Sequence, residues 1–402
     1  MSEPSISVHF PYPLKSAHFA KDVGIIPSLL SSQYGWRTSI LAHTSDPNVP
    51  TIASNHGVNL LDGMSWSVGT SIFKLPILRN RLKGTDVLIS YFLSRKTAVL
   101  GRLYKHVNPD GIFVIKSDLN PRSLRAFSPN SSLSERHRVG LLERQLLRDV
   151  VSSTSDIILA ESMHVVELLK HVFPQASSKV RYFPNGYLDA CDCPLTAEEV
   201  CNAKQKIILV SGRIGAHFKG HHILLRALET IDLRGWTIVF AGPVADSFHQ
   251  EYRRLIYHRP DLARAVRLVG NITERQQLER LYAKAMVLCH PSIESASSVE
   301  GSPLVLAEAH RWGAYILTTD AVPSAHEYIG QDTGGQLVRN NDPEALRKAL
   351  MLILGSPSEA QQKCVARVND AQQRLNWKQL VDRLHEDLIT LVSARNSTGA
   401  WR

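Results

Sequence analysis

Cys289-His290-Pro291-Ser292, then Glu300-Gly301-Ser302-Pro303-Leu304-Val305-Leu306-Ala307-Glu308-Ala309, is the stretch on which the fold turns. The run before it, Ala285-Met286-Val287-Leu288, is short and apolar and reads as a buried strand. Leu304 to Trp312 has helix-forming composition and stops at Gly313. Ser302 suits an N-cap and Pro303 a first helical position. Strand, loop and helix in that order make one unit of a parallel α/β sheet. Glu300 is then expected just ahead of the helix, with Glu308 inside it on the same face as Leu304. Unpaired backbone N–H groups and a positive dipole end head such a helix. That setting suits a ligand with phosphates in its middle and hydroxyls at both ends. Read without its context, the same pair is equally a solvated loop acid and a helix-surface acid.

Working outward, the pattern repeats. Apolar runs at Ser5–Phe10, Thr38–Ala42, Asp86–Tyr91, Ile112–Lys116, Asp156–Ala160 and Val180–Phe183 alternate with helical segments, including Lys96–His106 and Leu133–Val151. Continuous apolar strands separated by helices mark a parallel sheet covered on both faces. A second series runs from Lys206 to Val338. The expected fold is α/β, with two doubly wound Rossmann-like domains facing a cleft. The expected bounds are 1–190 and 205–376, a linker over 191–204, and a terminal segment 377–402 that packs back on the first domain.

The chain has 402 residues, enough for two or three cores. It has no apolar run near the ~20 residues that span a bilayer. Met1-Ser2-Glu3-Pro4 lacks the basic and apolar segments of a secretory signal, so a cytoplasmic protein is expected. Among five cysteines, Cys191, Cys193 and Cys201 cluster without a usual zinc spacing, so reduced thiols and no metal are expected. From Arg79 to Arg148 there are 14 Lys and Arg against five Asp and Glu, an excess equal to the chain's net +9. Such a field attracts phosphates or anionic lipid, and peripheral contact of 79–148 with the inner face of a membrane is expected.

The strand Ile207–Val210 ends at Ser211-Gly212-Arg213, and Lys219-Gly220 follows. Gly212 permits a close backbone approach, while Arg213 and Lys219 put two cations at the carboxyl end of a strand, where open parallel sheets bind ligands. Neither a Walker loop nor a paired-glycine dinucleotide fingerprint is present. With Asn185-Gly186, Gly270, Pro291-Ser292 and the E-x7-E pair Glu300/Glu308, these segments resemble the donor-binding domain of retaining GT-B glycosyltransferases, specifically glycosyltransferase family four. The likeness covers about Tyr182 to Leu350.

The resemblance implies that Arg213 and Lys219 hold the diphosphate of a sugar nucleotide, with the N–H groups of Leu304 and Val305. It implies sugar contacts for Glu300, ribose contacts for Glu308, and a base lying along Gly270-Asn271-Ile272, with Gly212 and Gly301 lining the donor. Two departures stand out. Gly301-Ser302-Pro303 replaces the common Gly-aromatic-Gly, and Ile293 to Val299 lengthens the preceding loop. Glu294 competes for the first acid, but only Glu300 has the right spacing to Glu308.

The first half matches more weakly. Lys15-Ser16-Ala17-His18 stands where a glycine-rich loop is common, and His18, Lys116 and Asp118 are expected near the sugar or acceptor. The implied activity is metal-independent, retaining transfer of a hexose from a UDP- or GDP-sugar to a glycan, glycolipid or other acceptor, as in bacterial polysaccharide synthesis. No cofactor and no nucleic acid are implied. The alternatives are an epimerase or phosphorylase of the same fold, or a non-catalytic basic binding protein.

Overall fold

The computed structural model describes residues 3–61, 75–117, 124, 126–127, 140–188, 195–294, 300–330 and 333–399. The chain forms two compact units, Met1–Pro184 with Trp377–Arg402, and Asn185–Asn376.

The first unit holds seven parallel strands: β1 (Ser5–Leu14), β2 (Arg37–Thr44), β3 (Val58–Leu61), β4 (Val87–Tyr91), β5 (Ile112–Ser117), β6 (Ile157–Ala160) and β7 (Val180–Tyr182). Their order is β3-β2-β1-β4-β5-β6-β7, so chain direction across the sheet reverses between β1 and β4. The central strands are buried on both faces, which explains their unbroken apolar runs.

β1 runs past the prolines expected to close it. After His9 it pairs only with β2, resuming at Pro13, so the prolines cost no hydrogen bond to β4. Of the helix expected over 133–151, Leu141–Asp149 is seen, followed by a π turn to Thr154; 133–139 lie outside the described residues. The terminal helix Trp377–Gly399 belongs to this unit. Tyr34 Oη donates to Asp382 at 2.5 Å, Trp36 Nε1 to His385 at 3.1 Å, and Arg395 to Asp156 at 2.6 Å.

The second unit has six parallel strands: β8 (Gln205–Ser211), β9 (Thr237–Ala241), β10 (Val266–Gly270), β11 (Ala285–His290), β12 (Tyr315–Thr319) and β13 (Gln336–Val338). Their order, β10-β9-β8-β11-β12-β13, reverses between β8 and β11. Trp236, Phe240 and Phe248 fill one side of this sheet, and each such buried ring contributes about 2–3 kcal/mol.

The segment expected as a linker is corrected in part. Residues 195–204 carry a helix, Ala197–Asn202, closed by a Thr196/Glu199 capping box, and they belong to the second unit. Cys201 is bonded to Cys364, against the expectation of reduced thiols; their Cα atoms are 5.8 Å apart across 163 residues of sequence. Cys191 and Cys193 lie outside the described residues.

Candidate functional site

The second unit's candidate site grows from the ends of β8 and β11, the neighbours between which the sheet reverses. Gly212 leaves β8 with φ 132°, a conformation that favours glycine, and its N–H donates to Ala241 at 3.0 Å. The chain then makes a tight turn, His217–Lys219, and Gly220 (φ 65°) opens the helix His221–Leu228. A Cβ at Gly220 would lie 1.9 Å from the Pro291 carbonyl oxygen. The Ile293 N–H donates to the Phe218 carbonyl at 2.9 Å. The loop after β8 is therefore clamped to the loop after β11.

Lys219 is only 6% exposed, and its Nζ lies 2.5 Å from Glu300 Oε1. The other carboxylate oxygen meets His290 Nε2 at 3.0 Å and the Ser292 hydroxyl at 2.9 Å. Burial alone would raise the Glu300 pKa, but the His290 hydrogen bond and the Lys219 ammonium outweigh it and hold the carboxyl well below its ordinary range. His290, 1% exposed, is pushed down by burial and stays neutral near pH 7. A carboxylate only accepts, so the neutral ring carries its proton on Nε2, and Ser292 donates to the same oxygen. Thr318 Oγ1 donates to the His290 carbonyl at 2.8 Å, and Thr319 Oγ1 to that of Ser292, fixing this loop to β12.

Arg213 is exposed. Its guanidinium lies 5.2 Å from the Phe218 ring centroid, and Lys219 Nζ is 5.7 Å from the same ring. Among the described residues Arg213 forms no ion pair, so it is a cation ready for an anion.

The helix Leu304–Arg311 starts one residue later than expected, with Pro303 rather than Ser302 at the N-cap. Asn185 Nδ2 takes the Ser302 carbonyl at 2.8 Å, and the Ser324 N–H the Gly301 carbonyl at 3.3 Å, which sets the entry angle. Leu304 and Val305 thus head the helix with N–H groups that have no intrahelical acceptor. Glu308 meets Arg275 Nη1 at 2.6 Å, and Arg275 Nε also holds Glu279 at 2.9 Å. Arg275 opens the helix just after Gly270-Asn271-Ile272. Gly270 has φ 73° at the end of β10 and accepts the Gly242 N–H at 2.7 Å.

Lys219 and Glu300 are candidates from the sequence, whereas Ser292 enters only as part of a family segment, and neither His290, which with it orients Glu300, nor Arg275, which orients Glu308, is given a role there. His290 and Ser292 stood in the quoted stretch; their signal was polarity at the end of an apolar strand. Arg275 carried no sequence signal, because its partner lies 33 residues away.

The remaining candidates belong to the first unit. His18 is half-buried; its Nδ1 accepts the Lys15 N–H at 2.9 Å, and burial, then Lys21 and Lys15, lower its pKa. Lys116 is 0% exposed and pairs with Glu161 and, at 3.3 Å, with Asp22. It is a core cation there, not one that faces a ligand. Asp118 lies outside the described residues. No group of three His, Cys, Asp or Glu able to hold a metal occurs among the described residues. No helix among them is long and apolar enough to cross a membrane.

Residues 196–370 match the family described as glycosyl transferases group 1. Over 193 residues the chain is 29% identical to a GalNAc-alpha-(1->4)-GalNAc-alpha-(1->3)-diNAcBac-PP-undecaprenol alpha-1,4-N-acetyl-D-galactosaminyltransferase from Campylobacter jejuni, covering 47% of this chain and 48% of that one. The chain thus spans about half the length of that curated relative. Among solved structures, Anabaena HepE in complex with UDP superposes with TM-score 0.68 at 15% identity, over 97% of this chain and 100% of that one. Sucrose-phosphate synthase from Thermosynechococcus elongatus superposes with TM-score 0.70 at 18% identity, over 98% and 100%. The chain has the GT-B fold of two parallel-sheet units, and residues 196–370, within its second unit, match the group 1 glycosyl transferase family.

Proposed function

We propose that the chain moves a hexose from a UDP- or GDP-sugar to a hydroxyl of a carbohydrate or lipid-linked acceptor, with retention at the anomeric carbon and without a metal. The observation that carries this reading is the ionised Glu300, gripped by Lys219, His290 and Ser292 beside the head of the helix that starts at Leu304.

In this reading the donor diphosphate accepts hydrogen bonds from Lys219, Arg213 and the N–H groups of Leu304 and Val305. Its arrival draws Lys219 from Glu300 and frees that carboxylate for the sugar hydroxyls. Glu308 accepts from the ribose hydroxyls, and the base runs along Gly270-Asn271-Ile272. As the bond from the anomeric carbon to the phosphate oxygen breaks, negative charge grows on the diphosphate, and the fixed cations meet it there. The acceptor oxygen attacks from the same face, and its proton passes to the departing phosphate oxygen. Glu300 orients the sugar rather than attacking it. Asp118 and His18 are proposed to contact the acceptor, and residues 79–148 to touch anionic lipid; membrane binding that ignores salt and lipid charge would remove the last point.

The relatives support the donor class: HepE was solved with UDP and with UDP-glucose, and the curated relative is named for a lipid-linked acceptor. The test is a panel of nucleotide sugars read by thermal shift and product analysis. A donor at 100 times its Kd adds about 2.7 kcal/mol to stability. If no UDP- or GDP-sugar shifts the transition or yields a glycoside, the reading is wrong.

A further inference from the structure

We infer that Tyr12 and Phe92 form a stacking platform in the first unit for a pyranose ring of the acceptor. The inference rests on the glycosyl-transfer reading and names the chemistry by which the acceptor is recognised.

The platform sits at the carboxyl ends of β1 and β4, the two neighbours between which the first sheet reverses and where such sheets leave a ligand crevice. Tyr12 is 56% exposed, a large ring left in water by a strand whose preceding residues are buried. Phe92 packs against it edge-on, with centroids 5.1 Å apart at 81°. Phe10 lies beneath both, 5.9 Å from Tyr12 and 6.1 Å from Phe92, so exposed Tyr12 and half-buried Phe92 rest on a buried ring.

The backbone at Phe92 is the second observation. Its φ is 65°, a left-handed conformation that costs a bulky residue free energy. Two hydrogen bonds impose it: the Phe92 N–H donates to the Lys116 carbonyl at 2.9 Å, and the Phe92 carbonyl accepts from Thr97 Oγ1 at 2.6 Å. Glycine or asparagine would hold that turn with less strain, but neither would supply the ring that packs edge-on against Tyr12. The strained residue is the one that holds the exposed tyrosine.

The neighbouring groups decide what rests there. His18 packs tilted against Phe10, with centroids 4.9 Å apart and planes at 59°. Because its Nδ1 accepts the Lys15 N–H, the neutral ring carries its proton on Nε2, a donor beside the platform. Lys15 is exposed next to it. Apolar faces with hydrogen-bond donors at the rim fit a sugar ring, whose C–H face meets the electron-rich aromatic face while its hydroxyls reach the donors. An acyl chain would leave those donors unused.

Saturation-transfer NMR on the full chain tests this, with methyl α-glucopyranoside and methyl N-acetyl-α-galactosaminide as probes and UDP binding measured alongside by calorimetry. Transfer is expected to at least one glycoside, strongest at the C–H protons of one ring face. Tyr12→Ala and Phe92→Gly, whose glycine accommodates the positive φ, should each weaken binding about fivefold, the scale of one aromatic contact. Tyr12→Phe should retain it, and UDP binding should be unchanged in all three variants. Unchanged transfer in Tyr12→Ala, or none in the unaltered protein while UDP binds, overturns the platform. Glycoside binding without any UDP binding leaves the platform standing and overturns the donor reading instead.

Discussion

At the ends of β8 and β11 the side chains are charged or polar: Lys219, Glu300 and neutral His290 stand beside a helix start, with Arg213 near by. At the ends of β1 and β4 they are aromatic, and Lys116 on the next strand is sealed between Glu161 and Asp22. The strand order is the same in both sheets out to the sixth strand. The scaffold therefore fixes where a ligand crevice lies, and the loop residues fix what it takes. The two lysines sharpen the contrast. Lys116 has acids enough to neutralise it and no exposure. Lys219 shares its ring neighbour with a second, uncommitted cation, which leaves positive charge for an incoming anion.

The largest expected effect tests the structural lysine. Lys116→Met leaves Asp22 and Glu161 without their buried cation and should cost about 3–5 kcal/mol in chemical denaturation. An unchanged midpoint would erase the distinction between the lysines. Lys219→Ala should instead lower turnover about 10²–10³-fold, the scale of one lost transition-state donor. Turnover close to that of the unaltered protein for this variant and for Arg213→Ala would remove the diphosphate assignment.

Acid should weaken both units, through different histidines. Burial, then Lys96, pushes His9 down to about 4; burial, then His290 and Lys219, pushes His221 to about 3. Both stay neutral when folded, while the unfolded chain protonates near 6.5. Stability should therefore fall as pH drops below about 6.5, through about 4 for the first unit and about 3 for the second, by a few kcal/mol. Glu300 adds a loss of the same sign below its ordinary value of 4.5. His9→Phe should flatten the acid dependence of the first unit's transition and leave that of the second; one shared slope for both would contradict this.

The smallest effect concerns Arg275. Its half-exposed bridge to Glu308 limits the loss in Arg275→Ala to about fivefold in UDP affinity, with Arg275→Lys partly restoring it. No change would mean that Glu308 keeps its orientation without help.

Much of this was legible in the chain. Strand runs such as Ile112–Lys116 and Ile207–Val210 read directly, because a strand covered on both faces has no polar alternation to hide it. Lys219, Glu300 and Glu308 were singled out by loop position, spacing and the family resemblance together, and Lys219 and Glu300 do meet. What stayed hidden depends on contacts between distant residues. The Arg275–Glu308 bridge, the Cys201–Cys364 bond and the burial of Lys116 arise only when separate strands and helices meet. The start of the helix at Leu304 differed by one residue, because Asn185 rather than a capping hydroxyl orients its entry.

The missing side chain at Gly220 has a mechanical consequence. With its backbone seated on the Pro291 carbonyl and Phe218 bonded to Ile293, the ribbon bearing Lys219 and the segment Pro291–Ile293, whose Ser292 holds Glu300, act as a single jaw. A ligand that pulls on one end drags the other with it, so grip on the phosphates and grip on the sugar tighten in step.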